Sequence, residues 1–224
     1  MATSQQSRSE SVERRYGWSV VAASVLCMAV ASGAQYGVVV GLKPIAAEFD
    51  WPRWIPSIAY SLTLLGMGVG GIYMGRWADR RGTLQPLIFA GLMIPLGAYV
   101  ASVSTNAWIF VGTHAVFFGL FGNAAFFAPL MANVTRWFDR RRGIAVAVVA
   151  GGQGLGGAVW PPVFRYLIEN HGWRDTFVIY GGVALVVLLP MSFVLAPAPP
   201  AALSEATESD SSGDQDQSIL GLQP

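Results

Sequence analysis

Charge is what this sequence has least of. Asp, Glu, Lys and Arg make up 12% of its 224 residues, about half the share in an average soluble domain. With 53% of residues hydrophobic, a water-soluble fold would lack the polar surface to cover itself. Cysteine is nearly absent: Cys27 stands alone, which excludes an internal disulfide and a cysteine-based zinc site. The formal net charge is +1, so no basic field argues for a nucleic-acid partner. Glycine (26), proline (13) and tryptophan (8) are plentiful instead, and Gly and Pro are frequent in membrane helices. The expected fold class is therefore all-α, a polytopic membrane protein surrounded by lipid, with no metal or cofactor.

Stretches free of Lys, Arg, Asp and Glu run over residues 16–42, 54–75, 82–135, 143–164 and 176–204. A helix needs about 20 residues to cross the hydrocarbon core. Residues 82–135 would extend roughly 81 Å as one helix, so that run must turn back. Its polar cluster of turn-forming residues is Ser102-Val103-Ser104-Thr105-Asn106. Six crossings follow, at about 17–41, 55–74, 85–103, 107–131, 143–166 and 174–196. Arg14-Arg15 and Ala29-Val30-Ala31 imitate a secretory signal, but the apolar run continues to Leu42, beyond the usual 7–15 residues.

Basic residues are unevenly distributed over the loops. Arg8, Arg14 and Arg15 in the tail, Arg76, Arg80 and Arg81 in the second loop, and Arg136, Arg140, Arg141 and Arg142 in the fourth total ten on one side. Lys43, Arg53, Arg165 and Arg174 total four on the other. The positive-inside bias makes both termini cytoplasmic, as expected in an inner or plasma membrane. Residues 1–16 read as a cytoplasmic tail, 17–196 as the bundle, and 197–224 as a disordered linker of Pro, Ser, Gln and acidic residues. A linker that ends without a further domain leads us to expect a missing second half.

Two loops on the basic side resemble each other: Arg76-Trp77-Ala78-Asp79-Arg80-Arg81-Gly82 and Arg136-Trp137-Phe138-Asp139-Arg140-Arg141-Arg142-Gly143. A topology collar explains the arginines, but not an aspartate placed twice in the same position, since acids contribute little to that bias. Gly75-Arg76-Trp77-Ala78-Asp79-Arg80-Arg81-Gly82 resembles the loop motif G-x-x-x-D-R-x-G of the major facilitator superfamily, without its usual trailing basic pair. The second arginine loop, the glycine-rich fifth helix, Gly172-Trp173-Arg174 and Glu48-Phe49-Asp50-Trp51 are similar to bacterial monocarboxylate-porter-like members. The resemblance implies that Gly75, Asp79, Arg80 and Gly82 form a gating loop, with Asp139, Arg140, Arg141 and Arg142 in the second cytoplasmic loop. Asp79 would stabilise one conformation against a helix end and basic groups of the second half. Gly75 would admit a close helix, and Gly82 a tight turn.

Gly152-x-Gly154-x-x-Gly157 matches the dinucleotide fingerprint only formally, because it lies inside an apolar crossing rather than after a strand. Gly152 and Gly156, four residues apart, instead share one helical face and permit a close neighbour. Pro161 and Pro162 favour a kink beyond them. No Lys, Arg, Asp or Glu lies deep in a crossing, so the candidate cavity groups are neutral: Gln35, Tyr36, Asn123 and Gln153. Gln153 lies roughly 15 Å from Gly143, near the midplane where transporter sites are found. In the superfamily helices 1 and 4 line the cavity, which favours Asn123 with Gln35 or Tyr36. His114 is the one histidine inside a crossing and a candidate for proton coupling. In regular helix geometry it faces away from Asn123, nine residues on.

The function expected is secondary transport, by alternating access, of a small organic solute such as a monocarboxylate-like anion, with this chain as the N-terminal half. A self-dimerising half-transporter is the main alternative. A six-helix channel would need filter-like segments, which the sequence lacks, and an intramembrane protease a Gly-x-Ser nucleophile with a histidine in reach; the one Gly-x-Ser, Gly17-Trp18-Ser19, opens the first crossing at the end opposite to His114. The topology has a direct check in a Cys27→Ser background. A cysteine at Asn106 is expected to react with an impermeant thiol reagent added to whole cells, and one at Thr207 is not. The opposite labelling would invert the orientation.

Overall fold

The computed structural model describes residues 17–138 and 141–196. The expected tail (1–16) and linker (197–224), together with Asp139 and Arg140, lie outside the described residues. Five helical elements are long and apolar enough to cross a membrane: α1 (Trp18–Phe49), α2 (Trp54–Arg81), α3 (Leu84–Val103), α4 (Ala107–Trp137) and a last one, Arg142–Val194. That last element leaves helical geometry at Gly172, where φ is 80° and ψ 164°, a conformation that favours a residue without Cβ. Trp160 and Tyr180 would lie roughly 30 Å apart on a straight helix, yet their rings meet at 5.1 Å. The chain therefore doubles back at Gly172, giving two arms, α5 (142–171) and α6 (173–194). This is the turn expected between the fifth and sixth crossings. Among the described residues the fold is all-helical, as expected.

The helix ends carry recognisable stops. Asp50, at φ 52°, caps α1 in the left-handed region and donates its N–H to Ala46 O. Gly82, at φ 81°, ends α2. Asn106 accepts the N–H of Trp108 at 2.8 Å and opens α4, so the polar cluster between 102 and 106 is the turn. α2 runs further than the expected 55–74, carrying all of the arginine loop but its final Gly82 as helix to Arg81. Its charged end remains helical because the backbone satisfies its own hydrogen bonds whether or not lipid surrounds it.

α1 is the central helix. Gly152 and Gly156 of α5 face it directly: a Cβ on Gly152 would meet Val25 O at 2.7 Å, and one on Gly156 would meet Ala29 O at 2.6 Å. A Cβ on Gly33 would run into the rings of Tyr180 and Trp160 at 2.6 and 2.7 Å. Those two aromatics bind α1 through their polar ends, with Trp160 Nε1 donating to Ala29 O at 2.7 Å and Tyr180 Oη to Val30 O at 3.0 Å. The helix runs through Pro161 and Pro162 without leaving helical backbone. Proline's fixed φ near −65° is itself helical.

α4 departs furthest from expectation. Residues His114–Asn123 form a ten-residue π-helix between the α-helical segments Ala107–Thr113 and Ala124–Trp137. It lies where α2 crosses closest. A Cβ on Gly119 would meet Thr63 O at 2.6 Å, and one on Gly70 would meet Ala124 Cβ at 2.7 Å. Thr63 Oγ1 donates to the His114 carbonyl at 3.2 Å, which takes up an acceptor in the wider helix. Gly75, expected to admit a neighbouring helix, does not: no described atom lies within 4 Å of its Cβ position. Gly66 and Gly70, further into the membrane, make the approach of α2 instead.

The α1–α5 seam yields a controlled comparison. Gly156→Val places methyls against the α1 backbone, whereas Gly154→Val points into open space. The first is expected to destabilise the bundle by about 1–3 kcal/mol, the cost of overpacking, and the second by well under that. Thermal unfolding midpoints in detergent would separate them; equal midpoints would contradict the seam.

Candidate functional site

The polar residues of the crossings separate into two groups. Gln35 of α1, Asn123 of α4 and Gln153 of α5 line one cleft with Ser32, Met67 and Phe126. Gln35 is buried and donates Nε2 to the thioether of Met67 at 3.6 Å, a weak acceptor. Asn123 is buried, and its Nδ2 has no hydrogen-bond partner. An orphaned amide donor costs about 1–3 kcal/mol, and no acceptor among the described residues meets it. The free space among these residues is ≈ 10 Å³, about what one water needs. The cleft thus presents donors and acceptors from three helices but holds no solute-sized volume.

Tyr36 is not in the cleft. It lies one residue round α1, where its hydroxyl sits against Gly157 of α5. His114 is also elsewhere. Its Nδ1 donates to Phe110 O at 2.9 Å, and its ring meets Phe110, Phe118 and Phe177 at 4.3, 4.9 and 5.9 Å. Nε2 is buried without a partner. Since a carbonyl only accepts, Nδ1 carries the proton of this hydrogen bond. No carboxylate among the described residues contacts it.

The two similar loops meet at the arginine-rich end. Asp79 pairs with Arg136 at 3.6 Å, with 66% and 47% of the side chains exposed. The expectation placed the partner of Asp79 in a second half; the structure supplies one within the chain, from the other arginine loop. Such an exposed pair contributes at most about 1 kcal/mol. Arg142 Nε donates to Thr135 O at 3.2 Å, Trp77 Nε1 donates to Gln85 Oε1 at 3.3 Å, and Arg80 and Arg141 are exposed. Among the described residues the ion pair at this end is an exposed one.

The opposite end is clamped. Glu48, at the end of α1, accepts from Trp173 Nε1 with one oxygen and from Arg174 Nε and Nη2 with the other, the latter at 3.2 and 3.0 Å. Arg174 Nη1 donates to Ser102 O at 2.5 Å and Ser104 O at 3.4 Å, the free carbonyls where α3 ends. Its guanidinium stacks 4.5 Å from the Trp173 ring and 5.3 Å from Phe49. The fragments Glu48-Phe49-Asp50-Trp51 and Gly172-Trp173-Arg174, separate signals in the sequence, are one three-helix junction in space. Sequence reasoning had the residues but not the contact, because 125 residues separate Glu48 from Trp173.

A bundle of long apolar helices around a central first helix, with a small cleft lined by three side-chain amides and paired arginine loops at one end, has the build of the solute-transporter class of membrane proteins. The chain belongs to the Major Facilitator Superfamily, whose family profile matches residues 24–221. Human monocarboxylate transporter 6 is 27% identical over 198 residues, covering 84% of this chain and 38% of that protein. The MFS-type transporter YhjX of Escherichia coli K12 is 26% identical, covering 69% of this chain and 38% of its own length. A crystal structure of a peptide transporter, POT, in complex with alafosfalin superimposes with a TM-score of 0.64 at 16% identity, covering 98% of this chain and 50% of that one. The chain thus spans half or less of the proteins it matches. It is a multi-pass membrane protein of a transporter family and not an enzyme.

The two ends differ in strength in a way that can be measured. Arg174→Leu removes charge-assisted hydrogen bonds worth about 1.5–3 kcal/mol and is expected to lower the unfolding midpoint clearly. Asp79→Asn, at the exposed pair, is expected to cost under about 1 kcal/mol. A larger loss for Asp79→Asn than for Arg174→Leu would reverse this assignment.

Proposed function

We propose that this chain is the N-terminal half of a secondary transporter that carries a small organic anion, monocarboxylate-like, by alternating access. The observation that carries the reading is the convergence of Gln35, Asn123 and Gln153 on one cleft, with Asn123 Nδ2 buried and unpartnered. An amide N–H without a partner suits a carboxylate or carbonyl oxygen, and the likeness to a monocarboxylate transporter supports the anion. The cleft forms half a site: a transporter site lies at the interface of two repeats and is reached alternately from each side. A second six-helix half would complete it and supply the positive charge the cleft lacks. Both termini face the cytoplasm of a cell or plasma membrane, in line with the arginine count.

Within this scheme the Asp79–Arg136 pair biases one of two conformations. An exposed contact of up to about 1 kcal/mol shifts a two-state ratio roughly fivefold, enough to modulate transport without locking it. Gly152 and Gly156 hold α1 and α5 together as the half moves. His114 packs the α4–α6 contact and takes no part in proton coupling.

Uptake of a radiolabelled monocarboxylate such as pyruvate into proteoliposomes tests the reading. The chain alone is expected to insert but to transport nothing. Co-expression with a separately encoded second half is expected to give uptake, which Asn123→Leu lowers at least tenfold while His114→Gln leaves it within twofold. Uptake by the chain alone would favour a self-dimer. Full activity of Asn123→Leu would remove the cleft from the mechanism.

A further inference from the structure

A hydrogen bond joins α2 to α4 away from the cleft. Thr63 is buried on α2 and lines no part of the cleft. It shares one hydroxyl proton between Ala59 O of its own helix at 2.8 Å and His114 O of α4 at 3.2 Å. The first is the ordinary back-bond of a helical threonine. The second reaches the residue at which α4 leaves α-helical geometry, since the π-helix runs over His114–Asn123. At the far end the N–H of Ala124 donates to Gly119 O, five residues back, the mark of the wider helix. Between these points the two backbones touch directly. A Cβ on Gly66 would meet Leu120 N at 3.0 Å, and one on Gly119 would meet Gly66 Cα at 3.2 Å.

The register of this stretch decides where Asn123 points. An α-helix turns about 100° per residue, whereas a π-helix holds about 4.4 residues per turn and advances roughly 82°. From His114 to Asn123 the difference adds up to roughly 160°, close to half a turn. The outer start of α4 is anchored, with Phe110 meeting Trp173 and Phe177 at 6.2 and 6.4 Å and His114 meeting Phe177 at 5.9 Å. Counted from that anchor, a regular helix would turn Asn123 away from the cleft it shares with Gln35 and Gln153.

We propose that Thr63 is a positioning residue of the solute site: its bond to the His114 carbonyl holds α4 in the π-helical register, and that register points Asn123 into the cleft. A donor from a neighbouring helix draws the carbonyl away from the axis, as an inserted side chain disturbs the four-residue ladder. The five-residue ring accommodates the tilt. Met67, four residues along the same face of α2, accepts from Gln35 Nε2. One face of α2 therefore places both amides, Gln35 by direct contact and Asn123 through the register of α4. The effect on solute rests on the transport reading; the effect on the direction of Asn123 does not.

The asparagines of the chain are Asn106, Asn123, Asn133 and Asn170. Asparagine labelled with ¹⁵N gives each a side-chain amide pair in the spectrum of the purified chain in detergent, and the pair lost in Asn123→Leu belongs to Asn123. Thr63→Val, close to threonine in shape but without the hydroxyl, is expected to move the Asn123 pair and leave those of Asn106 and Asn170 in place. Thr63→Ser, which keeps the donor, is expected to restore the wild-type position. Ser192→Ala removes a buried hydroxyl that donates to Leu188 O of its own helix at 2.7 Å and is expected to leave the Asn123 pair unmoved. Thr63→Ala repeats the test should the valine variant not fold. In the two-half protein Thr63→Val is expected to raise KM for pyruvate about tenfold, the worth of one charge-assisted hydrogen bond, with the maximal rate little changed. Thr63→Ser restores KM, and Thr63→Val adds nothing further to Asn123→Leu. An Asn123 pair unmoved by loss of the hydroxyl, or moved as far by Thr63→Ser or Ser192→Ala, would overturn the proposal. A moved pair without transport of any monocarboxylate would leave the role of Thr63 standing and remove the transport reading. Monocarboxylate transport with an unmoved pair would do the reverse.

Discussion

The approach of α1 to α5 sets the geometry of everything else. Gly152 and Gly156 present no side chain to the backbone of α1 at Val25 and Ala29, and the two helices lie closer than any larger residue would allow. Lipid supplies no hydrophobic drive for helices to associate, so contact of this kind, with interhelical hydrogen bonds, must do it. Trp160 and Tyr180 reach from α5 and α6 to the carbonyls of Ala29 and Val30, which fixes both depth and rotation of α1. That rotation turns Gln35 into the cleft and Tyr36 toward Gly157.

Each end of the bundle is then tied differently. At one, Arg174 joins three helices through a carboxylate, two helix-end carbonyls and two aromatic rings. At the other, among the described residues, an exposed ion pair at 3.6 Å links the arginine loops. In the proposed transport scheme, a half that moves as a body against a partner would need one end that stays assembled and another whose contacts exchange cheaply. The strong junction and the weak pair fit those two demands, and the π-helical stretch of α4 lies between them.

Much of this was legible in the sequence. The lack of charge gives the membrane, runs between charges give the crossings, and Ser102 to Asn106 gives the turn because turn formers have no other reason to cluster there. The α5–α6 reversal is readable at Gly172, flanked by charged residues. The cleft was legible in part: depth along a helix follows from counting, so Asn123 and Gln153 could be placed. Rotation could not, because it depends on which neighbour α1 packs against, and Tyr36 went astray for that reason. The π-helix was invisible because the close crossing where it lies, of Gly66 over Gly119 and Gly70 over Leu120, joins residues about 50 apart. The same distance hid Arg136 as the partner of Asp79, although both loops were in plain view.

The central claim is that Asn123 lies on the solute's path, buried and waiting for an acceptor. Alkylation of a cysteine at position 123, in a Cys27→Ser background and in a transport-active preparation, addresses it directly. The account predicts slow modification that the transported carboxylate slows further, in proportion to its occupancy of the site. Modification at the same rate with and without a solute that is demonstrably being transported would contradict it.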